Sequence, residues 1–233
     1  MFKAINYYIR KISSLVVHPA KWKKAGRQVI LLLSYFIRHG TSFFNINTKE
    51  YWNKRLSAMG NFWRDEHYYH LFNLLPENGR FSLLDIGCGI GDGCELIQSR
   101  FPGAEITGLD ISNVGIEKAK TKTVKVKYMV VDILKDPLPG TYDYITIIET
   151  LEHFDDPFFV IDKCLQHARV AVIVSVPYTP QYSGKVLAVS EHRYCFNENT
   201  FSKYSFRIAQ ITDYIKSTDE RCIIYEIYPN RPK

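Results

Sequence analysis

The run Asp85-Ile86-Gly87-Cys88-Gly89-Ile90-Gly91-Asp92-Gly93 sets glycines at every second position behind a carboxylate, directly after the apolar pair Leu83-Leu84. Glycines let a turn take positive φ and let a ligand approach the backbone without interference from a Cβ. A dinucleotide fingerprint starting at Gly87 and Gly89 needs its third glycine at position 92, where Asp92 stands. A carboxylate there is a poor neighbour for a pyrophosphate, which disfavours an NAD-type oxidoreductase. A second carboxylate, Asp110, closes Thr107-Gly108-Leu109-Asp110 and is placed to accept both hydroxyls of a ribose in charge-assisted hydrogen bonds. A third, Asp132, follows Tyr128-Met129-Val130-Val131 and precedes Ile133. The plainer reading is a tight strand-to-helix turn with aspartates as helix caps. Three carboxylates, each at the end of a predicted strand, argue instead for one shared site.

Further along, Glu149-Thr150-Leu151-Glu152-His153 and Ser175-Val176-Pro177-Tyr178 each follow a predicted strand, and Ser190-Glu191-His192-Arg193-Tyr194-Cys195-Phe196 precedes a predicted short helix. Carboxylates and imidazoles at such loops are the groups that move protons or hold a cation.

The D-x-G-x-G-x-G spacing from Asp85 to Gly91 resembles motif I of the class I S-adenosylmethionine-dependent methyltransferases, whose ligand has no phosphate and carries a cationic amino group. The resemblance spans residues 51–228 at the level of fold, with its specific motifs between Leu83 and Pro177. It implies S-adenosyl-L-methionine as cofactor, held by Asp85, Gly87, Cys88, Gly89, Gly91, Asp110, Ile111, Asp132, Ile133 and Glu149. Asp132 would take the adenine amino group, with Ile133 against the ring. The E-x-x-E-H run is similar to that of ubiquinone-pathway O-methyltransferases and small-RNA 2′-O-methyltransferases, in which it is associated with a divalent metal on the acceptor oxygen. That likeness implies Glu149, Glu152, His153 and His192 as a set for Mg²⁺ or Mn²⁺, and His153, His192 and Glu149 as the catalytic groups. The same run also occurs in relatives without a metal. There Glu149 packs near the cofactor, Glu152 satisfies backbone or a basic partner, and a histidine is a general base or structural. Tyr178, Tyr182 and Arg193 are placed to line an acceptor pocket. Any of Tyr51, Trp52, Trp63, Tyr68 and Tyr69 could cover a sulfonium, although for a single aromatic residue the core is the commoner fate.

These groups need a scaffold that delivers strand ends to one edge. Residues 49–75 read as helical and aromatic-rich, ended by the turn Pro76-Glu77-Asn78-Gly79. Strands are predicted at 82–86, 105–109, 126–131, 142–148 and 170–176, with helices at 93–100, 114–120 and 157–167 between them. Residues 206–214 and 221–228 suit an antiparallel hairpin. The expected fold is α/β: a Rossmann-like, doubly wound, seven-stranded sheet, mostly parallel, with a C-terminal antiparallel hairpin and additional N-terminal helices.

A chain of 233 residues with 46% hydrophobic and 23% charged residues can bury a full core, which excludes a disordered or fibrous reading. The five cysteines are dispersed without C-x-x-C pairing, as free thiols of a reducing cytoplasm are. No Asp or Glu precedes Glu50, whereas Lys3, Arg10, Lys11, Lys21, Lys23, Lys24, Arg27 and Arg38 do, so residues 1–48 read as a basic helical arm before a methyltransferase domain at 49–233. Its apolar run from Val29 to Ile37 is shorter than the roughly 20 residues of a spanning helix. The opening Met-Phe-Lys-Ala lacks the pattern of a secretory signal. The expected location is cytoplasmic, with residues 1–40 as a contact to an anionic membrane surface, a subunit or only solvent. The expected acceptor is a small molecule, a glycan or a lipid-linked compound. Nucleic acid is disfavoured, since no RNA-binding module is visible. From a different class, a catalytically silent binding module of the same fold fits the motifs less well.

Overall fold

The computed structural model describes residues 45–60, 65–186, 190–212 and 221–229, with the side chains of 65–67 excepted. Most of the basic arm, Trp63 and the polar turn of the predicted C-terminal hairpin therefore lie outside the described residues. Among the described residues two helices come first, α1 (Lys49–Ala58) and α2 (Asp65–Phe72). Then follow β1 (Ser82–Ile86), α3 (Asp92–Arg100), β2 (Glu105–Asp110), α4 (Asn113–Lys122), β3 (Lys127–Val130) and β4 (Tyr142–Ile148). A short 3₁₀ turn at Leu151–His153 leads to α5 (Pro157–Leu165) and β5 (Ala168–Pro177). The chain ends in the short pair β6 (Gly184–Lys185) and β7 (Tyr194–Cys195), then β8 (Ser205–Ile211) and β9 (Cys222–Tyr228).

The main sheet runs β3-β2-β1-β4-β5-β9-β8. β1 pairs in parallel with β2 and β4, and the parallel set extends to β3 and β5. β9 pairs antiparallel with both β5 and β8. The strand order reverses between β1 and β4, and in open α/β sheets the carboxyl ends at such a point diverge into a crevice.

Strand alternation builds two cores. Leu83 and Leu84 are both fully buried but pack into different clusters, one with Ile97 and Ile116 of α3 and α4, the other with Val160 and Ile161 of α5. Each such side chain contributes about 1.5–3 kcal/mol on burial, so the sheet's two apolar faces fix its register against both helical layers. Asp156 caps α5 through the N–H groups of Phe158 and Phe159, with Pro157 at the first helical position. β1 and β4 have the bounds that apolar patterning predicts. The predicted short helix after Phe196 is absent, and turns occupy 198–203 instead. Among the described residues no helix is long and apolar enough to cross a membrane.

Candidate active site

A cavity of about 700 Å³ opens at the carboxyl edge of β1, β2 and β4, with α1 over it. That is within the size range of small-molecule sites. Its floor is the glycine turn. Gly87 has φ +77°, and a Cβ there would lie 2.3 Å from the Thr150 hydroxyl, so only glycine fits between the two loops. The N–H groups of Gly87 and Cys88 both donate to the Leu109 carbonyl, at 2.8 and 2.9 Å, which ties the turn to β2.

Asp110 reaches the cavity from the end of β2. One of its carboxylate oxygens accepts the Gly89 N–H at 2.9 Å and the other the Ser112 N–H at 2.7 Å. Burial raises its pKa, opposed by these two hydrogen bonds. Asp132, Ile111 and Ile133 also line the cavity. The Asp132 carboxylate accepts the Leu134 N–H at 3.1 Å and the Lys135 ammonium at 2.7 Å. Gly87, Cys88, Gly89 and Glu149 complete the expected shelf.

Two expected cofactor residues lie outside the lining. Asp85 is 1% exposed beneath the turn, accepting the Thr146 hydroxyl at 2.7 Å and the Cys94 thiol at 3.4 Å. Burial pushes its carboxyl from 3.8 up to about 6. Gly91 is packed against Ala119 and Tyr128. Both residues shape the turn from behind. Asp92, in the place where a dinucleotide fold has its third glycine, pairs with Lys122 and puts a side chain at the start of α3 where a pyrophosphate would need open backbone.

On the acceptor side, ligand atoms of Glu152, His153 and His192 all lie within 4.8 Å of one another. Glu149 is outside this group: it has φ +48°, and its Oε1 accepts the Ser175 hydroxyl at 3.2 Å and the Cys222 thiol at 3.5 Å. The four-residue set expected from resemblance is thus brought together as three, with Glu149 turned toward β5 and β9. His153 Nδ1 is 3.0 Å from the Glu191 carbonyl and its Nε2 is 3.8 Å from Glu152 Oε1. A carbonyl only accepts, so Nδ1 carries a proton, and Nε2 is the nitrogen that faces the carboxylate. The donor set of one carboxylate and two imidazoles fits a divalent transition ion.

His192 lies in the segment that leads into β7. The Arg193 N–H donates to the Glu152 carbonyl at 2.6 Å, and its guanidinium, on a side chain 3% exposed, pairs with Asp155 at 2.8 Å. Arg193 therefore holds the loops together and does not line the cavity. Tyr178 and Tyr182 also lie outside it, the first bonded to Glu198, the second at 3.0 Å from the Lys185 carbonyl. Of the expected aromatic cover, Trp52 and Tyr68 line the cavity and Tyr69 is 54% exposed. The Trp52 ring meets His153 edge-on, with centroids 4.9 Å apart. Tyr51 donates to the Glu191 carboxylate, and burial, then that carboxylate, push its hydroxyl up to about 12, so it stays protonated. α1 itself is fastened to α4: Lys118 donates to the carbonyls of Leu56, Ser57 and Met59 at 2.8, 2.8 and 2.9 Å, and Asn53 accepts the Ser112 hydroxyl at 2.7 Å. Asn45, Asn47 and Arg55 are lining residues that local patterning does not single out. The only sequence signal near them is the small polar run 42–48, which reads as a boundary.

The chain matches the family model described as a methyltransferase domain over residues 50–213. The ubiquinone biosynthesis O-methyltransferase of Saccharophagus degradans is 37% identical over 91 residues, 36% of this chain and 37% of that protein. Its counterpart in Vibrio cholerae is 37% identical over 95 residues, 37% of this chain and 38% of the relative. The alignments thus span little more than a third of these relatives' length. Among solved structures, the N-methyltransferase NodS of Bradyrhizobium japonicum, in complex with S-adenosyl-L-homocysteine, superimposes with a TM-score of 0.57 at 18% identity, covering 77% of this chain and 99% of that one. Magnesium protoporphyrin IX methyltransferase from Synechocystis, with bound cofactor, gives 0.53 at 18% identity, covering 80% and 94%. At such identity the likeness speaks for the fold. The family match runs from α1 past β8 and takes in the glycine turn, Asp110, Asp132 and the Glu149–His153 run, and the chain belongs to the class I S-adenosylmethionine-dependent methyltransferases.

Proposed function

We propose that the chain transfers the methyl group of S-adenosylmethionine to a hydroxyl oxygen of a small-molecule, glycan or lipid-linked acceptor, with an amine as the less favoured target. The observation that carries this reading is that Glu152, His153 and His192 open into the same cavity as Asp110 and Asp132. The nucleoside would lie on the shelf from Gly87 to Asp132, its ribose on Asp110, its adenine against Ile111 and Ile133, and its amino acid end toward Glu149. Trp52 and Tyr68 exclude water from the reacting centre, and Trp52 also keeps the His153 ring in place.

His153 Nε2 takes the proton of the acceptor hydroxyl as its oxygen bonds to the methyl carbon. The carbon–sulfur bond breaks with its electron pair going to sulfur, which leaves S-adenosylhomocysteine. Positioning beside an already activated methyl supplies most of the rate, and the proton transfer adds about 10²–10⁴-fold. Were Glu152, His153 and His192 instead to hold a divalent ion, His153 would be a ligand and not the base, and the ion would lower the pKa of the acceptor hydroxyl so that no strong base is needed. Two imidazoles with one carboxylate favour Mn²⁺ over Mg²⁺, whose preference is for oxygen. The names of the ubiquinone O-methyltransferase relatives support oxygen as the target atom. The basic segment before Glu50 supports an acceptor presented at an anionic surface.

The reading is tested by incubating the chain with methyl-labelled cofactor and panels of phenolic, glycan and amine acceptors, with Mn²⁺ or with a chelator. Label is expected in a hydroxyl-bearing acceptor, more in Mn²⁺ than in chelator. Label only in amines contradicts the choice of oxygen, and equal transfer in chelator contradicts the metal.

A further inference from the structure

The two histidines come from segments far apart in the chain, and one amide spans both. Asn47 Nδ2 donates to the His153 carbonyl at 3.1 Å and to the Glu191 carbonyl at 2.9 Å, partners 106 and 144 residues away in sequence. The same group also meets Asn45 Oδ1 at 2.9 Å. Glu191 adjoins His192, and its carbonyl is also the acceptor that holds His153 Nδ1 at 3.0 Å. Around this point Asn45 reaches Asp155 at 3.0 Å and forms a bridge to Ser190. The Glu191 carboxylate is held from the other side by Tyr51 and Arg55.

We propose that Asn47 is a positioning residue of the acceptor side: its amide ties the carbonyl of His153 to that of Glu191 and so sets the two histidine-bearing segments against each other. This rests on the reading above, in which His153 and His192 serve the acceptor. The orientation of the amide is decided by its surroundings, since its three neighbours are all acceptors. Turned over, it would present oxygen to oxygen. Its own Oδ1 is buried without a hydrogen-bond partner, an arrangement that costs stability and persists because the donor end is the part in use. Asn47 precedes the segment that the family model matches, which begins at residue 50. The clamp is therefore contributed from outside the shared domain. It acts through the backbone: with the Glu191 carbonyl held, His153 keeps its proton on Nδ1 and its Nε2 toward Glu152, while His192 stays at its side, ring centroids 5.4 Å apart.

The test uses the full chain and the variants Asn47→Asp, isosteric but without the donors, and Asn47→Ala. Nitrogen NMR of the imidazoles is expected to show His153 as the Nδ1–H tautomer in the parent chain and as a mixture in both variants. Mn²⁺ affinity by calorimetry is expected to fall about 10–100-fold, while affinity for S-adenosylhomocysteine stays as in the parent. An unchanged tautomer and unchanged Mn²⁺ affinity in both variants would overturn the proposal. So would a matching fall in nucleoside affinity, which would make Asn47 a general packing residue. A parent chain that binds no Mn²⁺ counts against the metal, whereas the nitrogen spectra decide the clamp with or without it.

Discussion

The carboxylate of Asp110 accepts the backbone N–H of Gly89 at 2.9 Å, which joins the end of β2 to the glycine turn that follows β1. With its other oxygen on the Ser112 N–H, the side chain is held in one orientation before any ligand arrives. A group ordered in advance loses little entropy on binding. Asp110→Ala removes the ribose acceptor and leaves the Gly89 amide without this partner. Charge-assisted hydrogen bonds are worth about 1.5–3 kcal/mol, so calorimetry should show affinity for S-adenosylhomocysteine falling roughly 10–100-fold. Unaltered affinity would remove the ribose assignment.

Gly87→Ala should be worse for the fold than for any one contact. At φ +77° an L side chain is strained, and its Cβ would fall 2.9 Å from Thr150 Cβ as well as 2.3 Å from the hydroxyl. Strain and overpacking each cost about 1–3 kcal/mol. The expected result is a lower urea midpoint together with weaker nucleoside binding, because the displaced Thr150 adjoins Glu149. A midpoint equal to that of the parent would show that the two loops can separate freely.

Asp85 gives a pH dependence. Its folded-state carboxyl is pushed from the ordinary 3.8 up to about 6, mainly through burial. The folded chain holds this proton more tightly than the unfolded one. The contribution to stability is therefore complete below about pH 4 and is lost as pH rises toward and through about 6. A shift of this size corresponds to about 3 kcal/mol. Asp85→Asn keeps an acceptor for the Thr146 hydroxyl and removes the titration. Ligand-free urea unfolding of the variant is expected to change less across that pH window than the parent does, and parallel profiles would contradict this account of Asp85.

The proposed metal set separates Glu152 and His192 from Glu149. Glu152→Gln and His192→Ala should each weaken Mn²⁺ binding by more than about tenfold. Glu149→Gln should leave it unchanged, since the Glu149 carboxylate faces Ser175 and Cys222. Equal losses in all three variants would restore a four-ligand site.

Much of this was legible before the fold was known, for physical reasons that can be named. β1 and β4 are central strands buried on both faces, so apolar runs alone mark their ends, and the carboxylates after β2 and β3 stand out against those runs. E-x-x-E-H spacing suggests that Glu149 joins Glu152 and His153, whereas its carboxylate meets Ser175 and Cys222, contacts that sequence spacing does not reveal. Asn45 and Asn47 read as a polar linker because the partners that give them their place, Asp155, His153 and Glu191, lie more than a hundred residues away. The β6–β7 pair escaped notice since two-residue strands have no periodicity to read. The hairpin of β8 and β9 was visible because seven-residue strands do.

The most direct test of the central claim is a calorimetric titration of the unmodified chain with S-adenosylhomocysteine and, separately, with NAD. The Asp110 shelf and the Asp92–Lys122 pair predict saturable binding of the first and none of the second. Binding of NAD with no response to S-adenosylhomocysteine would contradict the account.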